Sequence, residues 1–253
     1  LDRGTCGGPC RIFIWGLLWP YGCVGRRPKR PALRRGRHAA VGEAAMASVG
    51  DRPAVGAPGQ GTRRGAADAA EEVVEYYRLL YLRGQTTLLS GNISVRVGDL
   101  VAITPTSAPK PLLRPSDLVY IDLEGRVVGG SGAPSSEWRM HVAIYRRRPD
   151  VGAVVHTHAV LPTVLAERID AGLLLESESY LGGGIAVVPP LKPGTWELAE
   201  AVAEALSRAN VAVMKKHGVV AVGPTLAEAV NRAEVVNDLA WATLARLWLG
   251  GGP

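Results

Sequence analysis

The sequence predicts an α/β protein built in three layers, α/β/α, with helices on both sides of a central, mainly antiparallel sheet. Three observations carry this. Apolar residues recur at three- and four-residue spacing in segments long enough for helices, short apolar runs bounded by turn residues lie between them, and the two kinds alternate along the chain without an internal repeat.

The first helix begins at Ala66, where Val73, Tyr76, Tyr77 and Leu80 make one apolar stripe and Gly84 follows as a stop signal. ISVRV at 93–97, LVAIT at 100–104 and LVYIDL at 118–123, the last followed by Glu124-Gly125 and RVV, read as strands joined by hairpins. Pro134-Ser135-Ser136-Glu137 opens a second helix running to about Arg147, because Ser caps free amides and Glu in a first turn suits the helix dipole. AVVHTH at 153–158 is a buried strand, and a helix runs from Thr195 to about Arg208. VAVM at 211–214 leads through Lys215-Lys216-His217-Gly218 into VVAV at 219–222, and Thr225-x-x-Glu228 has capping-box spacing for a last helix.

With 253 residues, 47% of them hydrophobic, the chain can bury a sizeable core. Its net charge of +6 is unevenly spread. Residues 1–65 hold twelve Lys/Arg against three Asp/Glu, hence +9, and the remainder seventeen against twenty, hence −3. The basic character therefore belongs to an extension, residues 1–65, expected to be disordered and separate from a folded domain at 66–253. That extension combines the apolar run IFIWGLLW, too short for a bilayer, with the block RRPKRPALRRGR and a Gly/Pro/Ala-rich connector. Its sequence starts at Leu1, and Met46 stands ahead of the connector as a natural start, so the leading reading is that residues 1–45 are absent from the native protein. All three cysteines lie in the extension, which suits a reducing, cytoplasmic setting. Neither a nucleic-acid nor a membrane partner is expected of the folded part.

His156 and His158 sit two apart in a strand, so both rings face one side. Two ligands on one face make half a zinc site; the plainer alternative is a hydrogen-bonded polar pair at a sheet end. His217, between two strands and before Gly218, is either a turn residue or the third ligand. Three imidazoles with one open position make a catalytic Zn2+ site, one ion per chain. His141, four residues after Glu137, shares a helical face with it and reads as a supporting or core residue.

Ser135 and Ser136 at a helix start, Ser90-Gly91-Asn92-Ile93-Ser94, and Thr104-Pro105-Thr106-Ser107 are three small-residue turns with amide and hydroxyl donors. Near one metal ion they would hold a phosphorylated small molecule. The chemistry suited to these parts is proton abstraction beside a carbonyl: zinc on a ketose phosphate stabilises an enediolate, and Glu137 moves the proton.

GNISVR at 91–96, ITPTS at 103–107, PSSEWRMH at 134–141, AVVHTHA at 153–159 and KHGVVAVG at 216–223 together resemble the motif series of the class II aldolase/adducin family over about residues 66–248. The resemblance implies a nine-stranded α/β/α domain and a homotetramer with active sites at subunit boundaries. It also implies zinc on His156, His158 and His217, Glu137 as acid/base, and a phosphate lined by Gly91, Asn92, Thr106, Ser107, Ser135 and Ser136. The implied activity is reversible cleavage of a short ketose 1-phosphate, fuculose-1-phosphate-like, to dihydroxyacetone phosphate and an aldehyde. Departures from the pattern are Ser107 in place of Gly, Leu89 in place of a phosphate-contacting Thr, and Tyr180 several residues late for a tyrosine after the H-x-H strand. The rivals are a methylthioribulose-1-phosphate dehydratase, which keeps the Glu, a pentulose-phosphate epimerase, which carries Asp there, and a non-catalytic adducin-like module.

Overall fold

The computed structural model describes residues 65–182 and 184–250. The expected extension therefore lies, but for Gly65, outside the described residues. Among them are eight strands: β1 (Asn92–Val97), β2 (Leu100–Ile103), β3 (Val119–Ile121), β4 (Val127–Gly129), β5 (Ala153–Thr157), β6 (Ile185–Val188), β7 (Val211–Met214) and β8 (Gly218–Gly223). They form one sheet in the order β4-β3-β2-β1-β5-β8-β7-β6. Only β6 against β7 is parallel. The mainly antiparallel sheet is as expected, with eight described strands where the resemblance implies nine.

Side-chain alternation sorts the core into two layers. Val155, Val211, Val213, Val219 and Ala221 pack with α1 (Ala66–Leu82) and α6 (Leu226–Trp248). Their neighbours Val154, Ala212, Met214, Val220 and Val222 pack on the other face with α2 (Trp138–Arg147) and α5 (Trp196–Ala205). Each buried Val adds about 1.5–3 kcal/mol, and a one-residue slip of β5 or β8 would exchange the two sets, so this alternation fixes the register. It also decides that His156, on the parity of Val154, faces the α2 side.

The helix starts differ in how they are capped. Thr195 Oγ1 accepts from Leu198 N at 3.2 Å, and Thr225 Oγ1 accepts from Glu228 N at 3.2 Å, the latter as the Thr225-x-x-Glu228 spacing predicts. The second helix begins later than expected: Trp138 is its first residue and Glu137 its N-cap, without a side-chain cap. Ser135 Oγ instead accepts from Glu137 N at 3.3 Å, which spends the serine on the turn before the helix. The α5 helix ends at Ala205, short of Arg208. Two helices and a strand escape the periodicity: α3 (Val160–Leu165), α4 (Leu175–Tyr180) and β6. The two helices are six residues each, too short to show a full amphipathic period.

Candidate metal centre and phosphate cradle

The sheet brings the three predicted histidines together at one edge. His156 lies near the C-terminal end of β5, paired with Asn92 of β1 on one side and Val220 of β8 on the other. His158 follows two residues later, and His217 sits in the turn from β7 to β8. Gly218 lets that turn close: a Cβ there would stand 2.1 Å from the Thr157 carbonyl oxygen and 3.0 Å from the His156 ring. The potential ligand atoms of the three residues all lie within 4.8 Å of one another, and the ring centroids are 4.7, 4.9 and 5.1 Å apart.

Whether these residues fit a metal can be judged from their hydrogen bonds. His156 Nδ1 donates to the Val219 carbonyl at 3.0 Å, which leaves Nε2 with the lone pair, accepting from His158 Nε2 at 3.0 Å. His217 Nδ1 is buried and has no partner among the described residues. Burial, followed by the neighbouring rings of His158 and His217, holds His156 well below the usual histidine range. Burial pushes His158 down to about 4 and also lowers His217. Neutral imidazoles with converging lone pairs are what a divalent cation of the zinc type requires, so the donor set fits.

Glu137 is buried at the start of α2, where desolvation raises its pKa and a hydrogen bond from the Gly194 amide partly opposes that rise. Among the described residues it is not part of the ligand cluster, which is the three histidines. It reaches the same edge through backbone ties. Ser135 N donates to Thr104 O at 3.0 Å, Thr106 N donates to Ala133 O at 3.1 Å, and Pro105 bridges Pro134. Thr104 Oγ1 in turn accepts from Ile93 N at 3.2 Å. The turns holding Gly91 and Asn92, Thr106 and Ser107, and Ser135 and Ser136 are thereby joined beside the histidines.

Within this cradle Gly91 has φ 76°, and a Cβ there would lie 2.7 Å from His156 O and 2.8 Å from the Tyr77 hydroxyl. Only glycine permits that approach. Ser107, at φ 53°, occupies the left-handed region despite its side chain. Leu89 is 56% exposed. Tyr180 is half-exposed at the end of α4, its carbonyl accepting from Arg232 Nε at 2.8 Å.

The chain that builds this site matches a known family. The family model of the Class II Aldolase and Adducin N-terminal domain aligns with residues 71–244. The chain belongs to the class II aldolase/adducin family. An L-fuculose phosphate aldolase of Methanococcus vannielii is 38% identical over 67% of this chain and 92% of its own length. A 5-methylthioribulose-1-phosphate/5-deoxyribulose-1-phosphate aldolase of Rhodospirillum rubrum is 39% identical over 70% of this chain and 78% of its own. Among solved structures, the L-fuculose-1-phosphate aldolase of Thermus thermophilus superposes with a TM-score of 0.64 at 31% identity, covering 75% of this chain and 99% of that one. Its homologues being lyases, the chain is an enzyme of the class II aldolase type.

Sequence reasoning reads His141 as a supporting or core residue but does not name its partners, nor Ser94 and Tyr145 beside it. His141 is fully buried, and its Nε2 donates to Asn92 Oδ1 at 2.5 Å while its Nδ1 accepts from Ser94 Oγ at 2.6 Å. Tyr145 OH donates to Ser94 O at 3.0 Å. Asn92 is thus held by its oxygen, which leaves its NH2 as a donor. The available signal was positional: His141 and Tyr145 are four apart on α2, and Asn92 and Ser94 two apart on β1, so both pairs share a face.

Proposed function

We propose that this class II aldolase is zinc-dependent and reversibly cleaves a short ketose 1-phosphate to dihydroxyacetone phosphate and an aldehyde. The convergence of three neutral imidazoles beside three donor-lined turns carries the reading. His156, His158 and His217 would hold the ion, which when bound supplies Lewis-acid polarisation of the substrate carbonyl. Gly91, Asn92, Thr106, Ser107, Ser135 and Ser136 fix the phosphate and so place the reacting carbons. Glu137 carries the proton to and from the carbon next to the carbonyl. Its burial and raised pKa suit a group that must both accept and return a proton.

One observation favours a second substrate. The Rhodospirillum rubrum relative, named for 5-methylthioribulose and 5-deoxyribulose 1-phosphates, is as similar as the fuculose phosphate aldolases, so a five-carbon 5-deoxy ketose phosphate competes with a six-carbon one. Retention of the histidines and Glu137 speaks against an adducin-like module. The catalytic unit is residues 66–253, in the cytoplasm. It works as a homotetramer, which would cover apolar side chains such as Val160 and Val164, each more than 70% exposed on α3. No helix among the described residues is long and apolar enough to cross a membrane.

A panel of five- and six-carbon ketose 1-phosphates, given to metal-replete protein and scored for dihydroxyacetone phosphate, tests the proposal. Release from one or both groups is expected. Loss of water without cleavage would replace the aldolase with a dehydratase, and no turnover by zinc-bearing protein would favour a binding module.

A further inference from the structure

The cradle residues named above carry no formal charge, yet a phosphate monoester brings about −1.5 to −2 at neutral pH. Lys110 lies beneath one of the turns and is only 1% exposed. Its Nζ donates to Pro105 O at 2.7 Å and to Ala108 O at 3.2 Å, the carbonyls on either side of Thr106 and Ser107. Its backbone amide donates to Leu88 O at 2.9 Å, so the same residue ties the turn leading to Gly91. Among the described residues no carboxylate pairs with it, and burial alone lowers its pKa. A buried ammonium without a counterion costs several kcal/mol in principle, and a turn could be pinned without any charge. The cation makes sense if an anion completes it.

We propose that the Lys110 ammonium is the fixed positive charge of the phosphate subsite, attracting the substrate's phosphate through the turn at 105–108 that it holds. This rests on the cradle reading under Proposed function. Lys110 is a positioning residue, set back from the phosphate itself, and nothing in the aldolase motif series points to it.

Inorganic phosphate titrated calorimetrically into metal-loaded, full-length wild type, Lys110→Met and Lys110→Gln tests the idea. Methionine fills the volume of the lysine stem, and glutamine keeps an N–H donor without the charge. Both variants should bind phosphate about tenfold more weakly or worse, as expected for a unit charge acting across a partly buried site. The salt dependence of binding should flatten, and substrate KM should rise with kcat unchanged. Melting temperatures should stay at or above wild type, because an uncompensated buried charge has gone. Wild-type affinity in Lys110→Gln would overturn the proposal, and so would failure of both variants to fold, which would make Lys110 purely structural. Absence of phosphate binding by the wild type would instead remove the cradle reading beneath it.

Discussion

The histidine cluster and the phosphate cradle share one edge of the sheet but are built by different means. His156 is set by backbone pairing on both sides, with Asn92 and Val220, and His217 by the tight turn that Gly218 permits. The cradle gathers turns around the first residue of β1, joined by backbone bonds from Ser135 N to Thr104 O and from Thr106 N to Ala133 O and braced by side chains: Thr104 on Ile93, His141 on Asn92, Lys110 on Pro105 and Ala108. Ladder pairing holds His156, and backbone bonds from His158 N to Gln85 O and from His217 N to Met214 O hold the other two, so removing one imidazole should weaken metal binding without disturbing the frame. The cradle has several ties, so removing one should give a graded loss.

The sharpest break in that contrast comes from a pair of substitutions. His217→Ala should fold normally but lower zinc affinity at least about a hundredfold, more than is typical for residues that only support a ligand. Glu137→Gln should keep the metal and slow exchange of the dihydroxyacetone phosphate C–H proton by about 10²–10⁴-fold. Because burial raises the Glu137 pKa, the protonated form persists to higher pH than in an ordinary carboxylate. Exchange by wild type should therefore climb as pH rises through that raised value. Metal analysis alongside exchange rates separates the roles: zinc lost from Glu137→Gln would make the carboxylate a ligand, and unchanged exchange would strip it of proton transfer.

A smaller effect is expected one layer further out. His141→Phe keeps the ring volume but leaves Asn92 Oδ1 without its partner, at a cost of about 1–3 kcal/mol for a buried group left unpaired, while Ser94 Oγ keeps the Tyr145 hydroxyl at 2.9 Å. Burial pushes the His141 pKa from the usual 6.5 to about 3. A depressed folded-state value means that the unfolded chain binds the extra proton, so this contribution to stability is present above 6.5 and is lost as pH falls toward about 3. Denaturant unfolding at several pH values should show wild type ahead at neutral pH, with the gap to His141→Phe narrowing on acidification. A gap that widened would mean that the histidine is not neutral in the fold.

The same contrast explains what could be read from the sequence. Strand alternation makes His156 and His158 a pair on one face, and the switch from VAVM to VVAV puts His217 in the turn between them; period and punctuation leave a hydrogen-bonded pair and a plain turn residue open, and it is the motif series that points to all three as ligands. Gly91, Thr106 and Ser135 are legible as turn residues, but that their turns meet depends on Thr104 and on the Pro105–Pro134 bridge, contacts between segments distant in the chain. Lys110 looks like a surface lysine because a sequence does not display burial. The helix expected at Pro134 starts at Trp138 because Ser135 bonds within the preceding turn, a local choice between two amides that spacing cannot decide.

Ser107 offers the finest test, since it stands in the cradle and departs from the glycine of the aldolase pattern. Its φ of 53° costs a residue with a Cβ roughly 1–2 kcal/mol relative to glycine. Glycine would return about 0.4–1 kcal/mol of that by loosening the unfolded chain, so Ser107→Gly should stabilise the fold by about 1 kcal/mol or less. The variant also deletes a hydroxyl from the cradle, worth about 1 kcal/mol of phosphate binding for one exposed donor. A higher melting temperature with a several-fold weaker phosphate affinity is the expected pairing, and it would mean that this chain holds strain in exchange for a donor. Higher stability with unchanged affinity would reduce Ser107 to a backbone position, leaving the turn's contribution to Thr106 and the charge behind it.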